Sequence, residues 1–177
     1  MSDSIPSVED FVAGITRRWQ DIRPDLDATP LLVIGRIDRL ASTINEQLRP
    51  PFAAAGLAAG DFDLLAALRR QGPPYEASPG ALAAAMLVTT GGTTKRIDRL
   101  ERQGFVTRRP SAVDGRARVV ALTAKGRRIT DELIGVHLAN EQRILSALTA
   151  TQRDQLAELL GVLATAVEGA TGGQLRV

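Results

Sequence analysis

A chain of 177 residues is long enough for one good core, and its 44% apolar and 24% charged residues are the balance of an ordinary globular protein rather than a disordered or membrane-spanning one. It has no cysteine and a single histidine, His137, which excludes disulfide frameworks, thiolate zinc sites and His-rich metal sites; no metal and no cofactor is expected. No run approaches the roughly 18 apolar residues of a membrane span, and the start Met1-Ser2-Asp3-Ser4 lacks a secretory pattern, so the expected location is the cytoplasm.

The first helix is expected over residues 8–20, ended by Pro24 in an acidic link. Thr29-Pro30 reads as an N-cap followed by proline at the first helical position. The stripe Leu31, Ile34, Ile37, Leu40, Ala41, Ile44 and Leu48 then predicts a helix stopped by Pro50-Pro51. A third helix is expected from about Ala59 to Gln71, broken by Gly72-Pro73-Pro74, with a linker to Glu76. Ser78-Pro79 caps a short alanine-rich helix, Gly80 to Leu87, and Thr89 caps a helix through Arg102 that Gly104 closes.

From Phe105 the pattern changes to strand over residues 105–109, then a turn-rich stretch, then a second strand over 118–122, which together read as a hairpin. Thr123 caps a long helix to about Leu148, and Thr151 with Asp154 resembles a capping pair for a last helix carrying Leu156, Leu159, Leu160, Leu163 and Val167. The fold class is thus mainly α with a small β-hairpin. Residues 1–57 are expected to hold the N-terminal helices, 58–123 the lobe with the hairpin, and 124–177 the C-terminal helices, the outer two segments serving dimerisation.

The net charge is only +2, but it is unevenly placed. Residues 89–123 hold eight basic residues against three acidic ones, a local +5. Two short helices joined by a tight turn, with an arginine-rich hairpin directly after the second, form a winged helix-turn-helix. Thr93, Ile97 and Leu100 fall at helical spacing and should face the core, leaving an outer face rich in donors. On this reading Thr90, Gly91 and Gly92 bring backbone amides close to phosphate, and Thr94 and Lys95 reach base edges in the major groove. Arg99 and Arg102 hold phosphates, Arg118 adds a basic contact on the second strand, and Arg116 at the tip Asp114-Gly115-Arg116 enters the minor groove. The expected partner is double-stranded DNA.

The run from Thr89 to Phe105, followed by Asp114-Gly115-Arg116-Ala117-Arg118-Val119-Val120-Ala121-Leu122-Thr123, resembles the MarR family of bacterial regulators. The resemblance spans about Leu31 to Val167. It implies a homodimer, joined by its N- and C-terminal helices, that binds a pseudo-palindromic operator, usually represses, and is released by a small molecule. Trp19 on an additional N-terminal helix, the run Gly60 to Arg70, and Gly72-Pro73-Pro74-Tyr75 are similar to its urate-responsive (PecS/TamR/HucR-like) branch. That likeness implies a ligand site at Trp19, Asp63, Arg70 and Arg108, with Arg109 as an alternative to Arg108, for a small anionic effector such as urate, a related purine or an organic acid. Asp63 and Arg70, seven apart, share a helix face, and an ion pair between Asp63 and Arg108 would set the spacing of the two DNA-binding lobes.

Two other readings remain open. An all-helical structural or protein-interaction dimer, without sequence-specific DNA binding, accounts for the long apolar stripes but not for the +5 segment. An enzyme is not expected, because His137 has no nucleophile, acid partner or phosphate loop near it in sequence and no catalytic residue can be named.

Overall fold

The computed structural model describes residues 8–58, 60–86, 90–110 and 118–172. In chain order these form α1 (Val8–Ile22), α2 (Leu31–Ala54), α3 (Asp61–Arg70), β1 (Glu76–Ala77), α4 (Pro79–Met86), α5 (Thr90–Arg102), β2 (Val106–Pro110), β3 (Arg118–Leu122), α6 (Ala124–Ile144), a 3-10 turn (Leu145–Ala147) and α7 (Ala150–Gly172). The chain makes two compact units, one reaching to Ile134 and one beginning at Gly135.

The core of the first unit is built by α3, α4, α5, β2, β3 and the first half of α6. Leu64, Leu65, Leu68, Leu82, Ile97, Leu100, Val106 and Val120 are all sealed within it, with Leu133 of α6 and Leu57 closing its sides. Burying a leucine or valine side chain contributes about 1.5–3 kcal/mol, so this cluster, rather than helix propensity, holds short elements such as α4 in place.

Most termini follow their chemistry. Ser78 Oγ accepts the Ala81 N–H at 3.1 Å, and Thr123 Oγ1 accepts the Gly126 N–H at 3.0 Å, each satisfying a first-turn donor. Gly104, at φ +74°, closes α5: its N–H donates to the Glu101 carbonyl and the Phe105 N–H to the Leu100 carbonyl, both at 2.9 Å. That turn delivers the chain straight into β2.

Several expectations are corrected. Pro50-Pro51 does not stop α2, which continues to Ala54. Phe52 stacks on Phe62 with centroids 4.5 Å apart, and this anchoring outweighs the loss of two N–H donors. Thr29 does not cap α2. Its N–H and hydroxyl both donate to Asp27 Oδ1, at 2.9 and 2.7 Å, and Pro30 takes the cap position. The linker before α4 holds a two-residue strand, so the hairpin is part of a three-stranded antiparallel sheet in the order β1-β3-β2, with Glu76 opposite Ala121 and Ala77 opposite Val120. The last cap lies two residues earlier than expected: the Thr149 N–H donates to Gln152 Oε1 at 2.9 Å and the Gln152 N–H to Thr149 Oγ1 at 3.3 Å.

In the second unit α6 ends at Ile144 rather than Leu148, and Arg153 Nε donates to the carbonyls of Leu145 and Leu148 across the turn. Leu156, Leu159, Leu160, Val162 and Val167 on α7 are all exposed in the single chain. In the first unit, Phe11, Ile15, Trp19 and Ile22 on α1 and Leu31, Val33, Ile34 and Leu40 on α2 are exposed as well.

Candidate nucleic-acid interface

Thr93, Ile97 and Leu100 of α5 are at most 1% exposed, which turns the opposite side of the helix to solvent. Gly91, Thr94, Lys95, Asp98 and Arg102 are exposed there, and Gly92 is half-buried. Thr90 is the first residue of α5, though its side chain lies outside the described residues. The β2–β3 ladder runs beside this helix with Arg108 opposite Val120, Arg109 opposite Val119 and Pro110 opposite Arg118. Arg118 is exposed; Arg116, with Asp114 and Gly115 of the hairpin tip, lies outside the described residues.

Arg99, expected on phosphate, has another partner. Its Nε donates to Asp61 Oδ2 at 2.8 Å while a second guanidinium nitrogen donates to Oδ1, and the Asp61 side chain is fully buried at the start of α3. The hydrogen bond that Arg99 donates to Asp61 raises the Arg99 pKa above its ordinary value, against the desolvation that accompanies burial. Arg102 stays exposed, with a 3.3 Å contact from Nε to the Asp98 carbonyl of its own helix.

Arg108, expected near Asp63, is instead taken by α5. Its guanidinium donates to Asp98 and to Glu101, and its backbone N–H donates to Glu101 Oε1 at 3.0 Å. Burial opposes the Arg108 charge, yet the hydrogen bonds it donates to Asp98 and Glu101 raise its pKa overall. Arg109 reaches across β3 to Glu76 of β1. Both arginines that sequence left as alternatives are therefore ion-paired inside the lobe.

Trp19, half exposed on α1, and Asp63 and Arg70, exposed at the two ends of α3, complete the four ligand-site candidates. Among the described residues no hydrogen bond or ion pair joins any two of them. Between α1 and α2 lies an open groove of about 360 Å³ lined by Phe11, Val12, Ile15 and Leu31 with Asp38, Arg39 and Ser42, where the Arg39 guanidinium lies 4.5 Å over the Phe11 ring; Trp19 is not in its wall. Periodicity did not signal Asp61, Asp98 or Glu101 as partners. An acidic residue at a helix start reads locally as a dipole partner, and its arginine lies 38 positions away.

The MarR-family model matches residues 55–117, which span α3 to the hairpin. The chain is 37% identical over 150 residues to the HTH-type transcriptional regulator PecS of Dickeya dadantii, covering 85% of this chain and 90% of that protein. The chain belongs to the MarR family. This MarR-family chain is accordingly a transcriptional regulator and not an enzyme. Its fold is that of a mutant Escherichia coli MarR solved with operator DNA, at a TM-score of 0.66 and 24% identity over 82% of this chain and 96% of that one. It is also that of Bordetella bronchiseptica BpsR, whose DNA binding is regulated by 6-hydroxynicotinic acid, at a TM-score of 0.65 and 23% identity over 74% of this chain and 92% of that one. No described helix of this MarR-family chain is long and apolar enough to cross a membrane.

Proposed function

We propose that two copies of the chain bind a pseudo-palindromic operator, that binding represses transcription, and that a small organic anion, urate or a related purine or organic acid, releases the DNA. The observation that carries this reading is the exposed Gly91, Thr94 and Lys95 face of α5 beside the hairpin, in a lobe whose counterpart in E. coli MarR was captured with operator DNA. Thr94 and Lys95 donate to base edges, the amides at the start of α5 meet phosphate, Arg102 and Arg118 add backbone contacts, and Arg116 enters the minor groove. A duplex with two half-sites one helical turn apart requires two such lobes, which the exposed apolar faces of α1, α2 and α7 supply by pairing.

For the effector, Trp19 offers a ring for stacking and Arg70 an exposed charge for the anion. Arg108 joins that site only by giving up Asp98 or Glu101, so a ligand that captures it loosens the tie between α5 and the hairpin. Release then follows from a difference in ligand affinity between the tied and loosened states, about 1–3 kcal/mol for a 5- to 150-fold change in DNA affinity. The test is fluorescence anisotropy on duplexes that the protein selects from a random pool, at rising salt and with urate, purines and aromatic acids titrated in. Binding that weakens steeply with salt and reverses with an anion supports the reading. Failure to select any duplex would leave a helical interaction dimer as the better account, and full release from Arg70→Ala would remove Arg70 from the site.

A further inference from the structure

Asp61 sits at the first position of α3, wholly buried, and its carboxylate takes three donors: the Ala58 backbone N–H at 2.8 Å, Arg99 Nε at 2.8 Å and the second Arg99 nitrogen. A buried carboxylate is tolerated only with such partners, and a planar guanidinium fork fixes direction as well as distance. The preceding residue takes a second arginine from the same helix. Gly60 has φ +76°, and a Cβ there would fall 2.4 Å from Arg96 Cζ, so the Arg96 guanidinium lies directly on its bare backbone. Arg96 and Arg99 are three apart and therefore share one side of α5.

The stripe of Thr93, Ile97 and Leu100 holds α5 against the core, and Asp98 and Glu101 tie its outer side to the hairpin through Arg108. The Arg99–Asp61 pair adds a directional tie from α5 to the start of α3, at a carboxylate that is fully buried. Lys95 lies one turn before Arg99, so a change in the angle set at Arg99 displaces the Lys95 amine relative to a base edge. A binding constellation held more loosely than about 10–20° loses its geometry.

We propose that Asp61 is a positioning residue for sequence discrimination: by gripping Arg99 in a bidentate pair it sets the rotation of α5 and decides which base edges Thr94 and Lys95 meet. This rests on the DNA-reading role of α5 proposed above. It makes Arg99 a basic residue of the reading helix whose charge is spent inside the protein, and Asp61 an acidic residue on which recognition of a polyanion depends.

The sign of one substitution separates this role from simple electrostatics. Removing a negative charge near a polyanion strengthens binding, whereas releasing the helix weakens only the specific part of it. The full chain, as wild type, Asp61→Asn and Arg99→Lys, with Arg99→Ala as a charge-removal control, is titrated against a duplex selected by the wild type and against a scrambled duplex of equal length and composition. Both variants are expected to lose roughly tenfold or more on the selected duplex, with scrambled-duplex affinity equal or slightly higher and the salt slope unchanged. Partial unfolding lowers the active fraction for both duplexes alike and leaves their ratio intact, so the ratio reports positioning even if Asp61→Asn is destabilised. Arg99→Lys keeps the charge without the fork and serves if Asp61→Asn does not fold. An unchanged ratio in the folded variants would overturn the role of Asp61, as would a salt slope smaller by about 1 in Arg99→Ala with both duplexes weakened alike, the mark of a lost phosphate contact. A wild type that does not discriminate between the duplexes overturns instead the reading on which the proposal stands.

Discussion

Glu101 and Arg108 bind each other twice, through the Arg108 backbone N–H on Glu101 Oε1 at 3.0 Å and through the guanidinium on Oε2. One carboxylate near the end of α5 thus fixes both the main chain and the side chain of β2. Glu101→Ala should lower stability by about 1 kcal/mol, since the pair is partly exposed and its net worth is reduced by solvent. Glu101→Gln should recover part of this by keeping an acceptor for the backbone N–H. Urea melts of the three proteins measure it, and equal stabilities would remove the pair from the account of how the hairpin is held.

The start of α6 is tighter still. A Cβ on Gly126 would fall 2.0 Å from the Phe105 carbonyl oxygen, a backbone atom that also accepts from the Thr123 N–H at 3.1 Å. Gly126→Ala is expected to cost about 1–3 kcal/mol or more, because neither backbone can yield without breaking the cap. Gly80→Ala on α4 meets nothing within 4 Å and should gain about 0.5–1 kcal/mol. Thermal unfolding of both variants checks the contrast in sign.

Asp27 predicts a pH dependence. Hydrogen bonds from the Thr29 hydroxyl and N–H hold its carboxyl below the ordinary carboxylate value, so its contribution is full above the unfolded value of about 3.9 and disappears as pH falls through the lower folded one. Asp27→Asn should therefore melt below wild type at pH 7, and the gap should narrow as pH is taken from about 5 toward 3. A gap that is constant over that range would mean the turn before α2 owes its stability to shape rather than charge.

Leu159, 68% exposed, is among the most exposed large apolar side chains of the single chain. Sedimentation of the wild type should report about twice 18.9 kDa, and Leu159→Asp should shift the chain toward the monomer at micromolar concentration. A wild type that stays monomeric would remove the paired half-sites from the proposed function.

What could be read in sequence was what is local. The Thr93, Ile97 and Leu100 stripe, the Gly104 stop and the Ser78 and Thr123 caps each depend on residues within a turn or two, and all are present. β1 escaped because two residues carry no periodicity and exist as strand only through their ladder to β3. The Pro50-Pro51 pair misled because a strong local signal was opposed by Phe62, ten or more residues on. Within the candidate interface, sequence placed the outward face of α5 but assigned Arg99 by its charge alone, since nothing near Arg99 in sequence announces the buried Asp61. The ligand-site set came from a likeness to relatives. Its arrangement depends on elements α1, α3 and β2, which no spacing rule connects.

Pro50 and Pro51 leave the carbonyls of Glu46 and Gln47 without the ladder donors that other residue types at those two positions would provide. Helix α2 is therefore continuous in shape but not in cooperativity. Its last turn is anchored by Phe52 on Phe62 and by the chain running on to Leu57 in the core, so its amides are expected to exchange with those of the lobe beneath it. The longer stretch from Leu31 to Arg49 is free to exchange its amide protons on a separate clock, one that pairing of its exposed face would slow. A single helix thus carries two differently anchored stretches, and hydrogen exchange on either side of Pro50 should distinguish them.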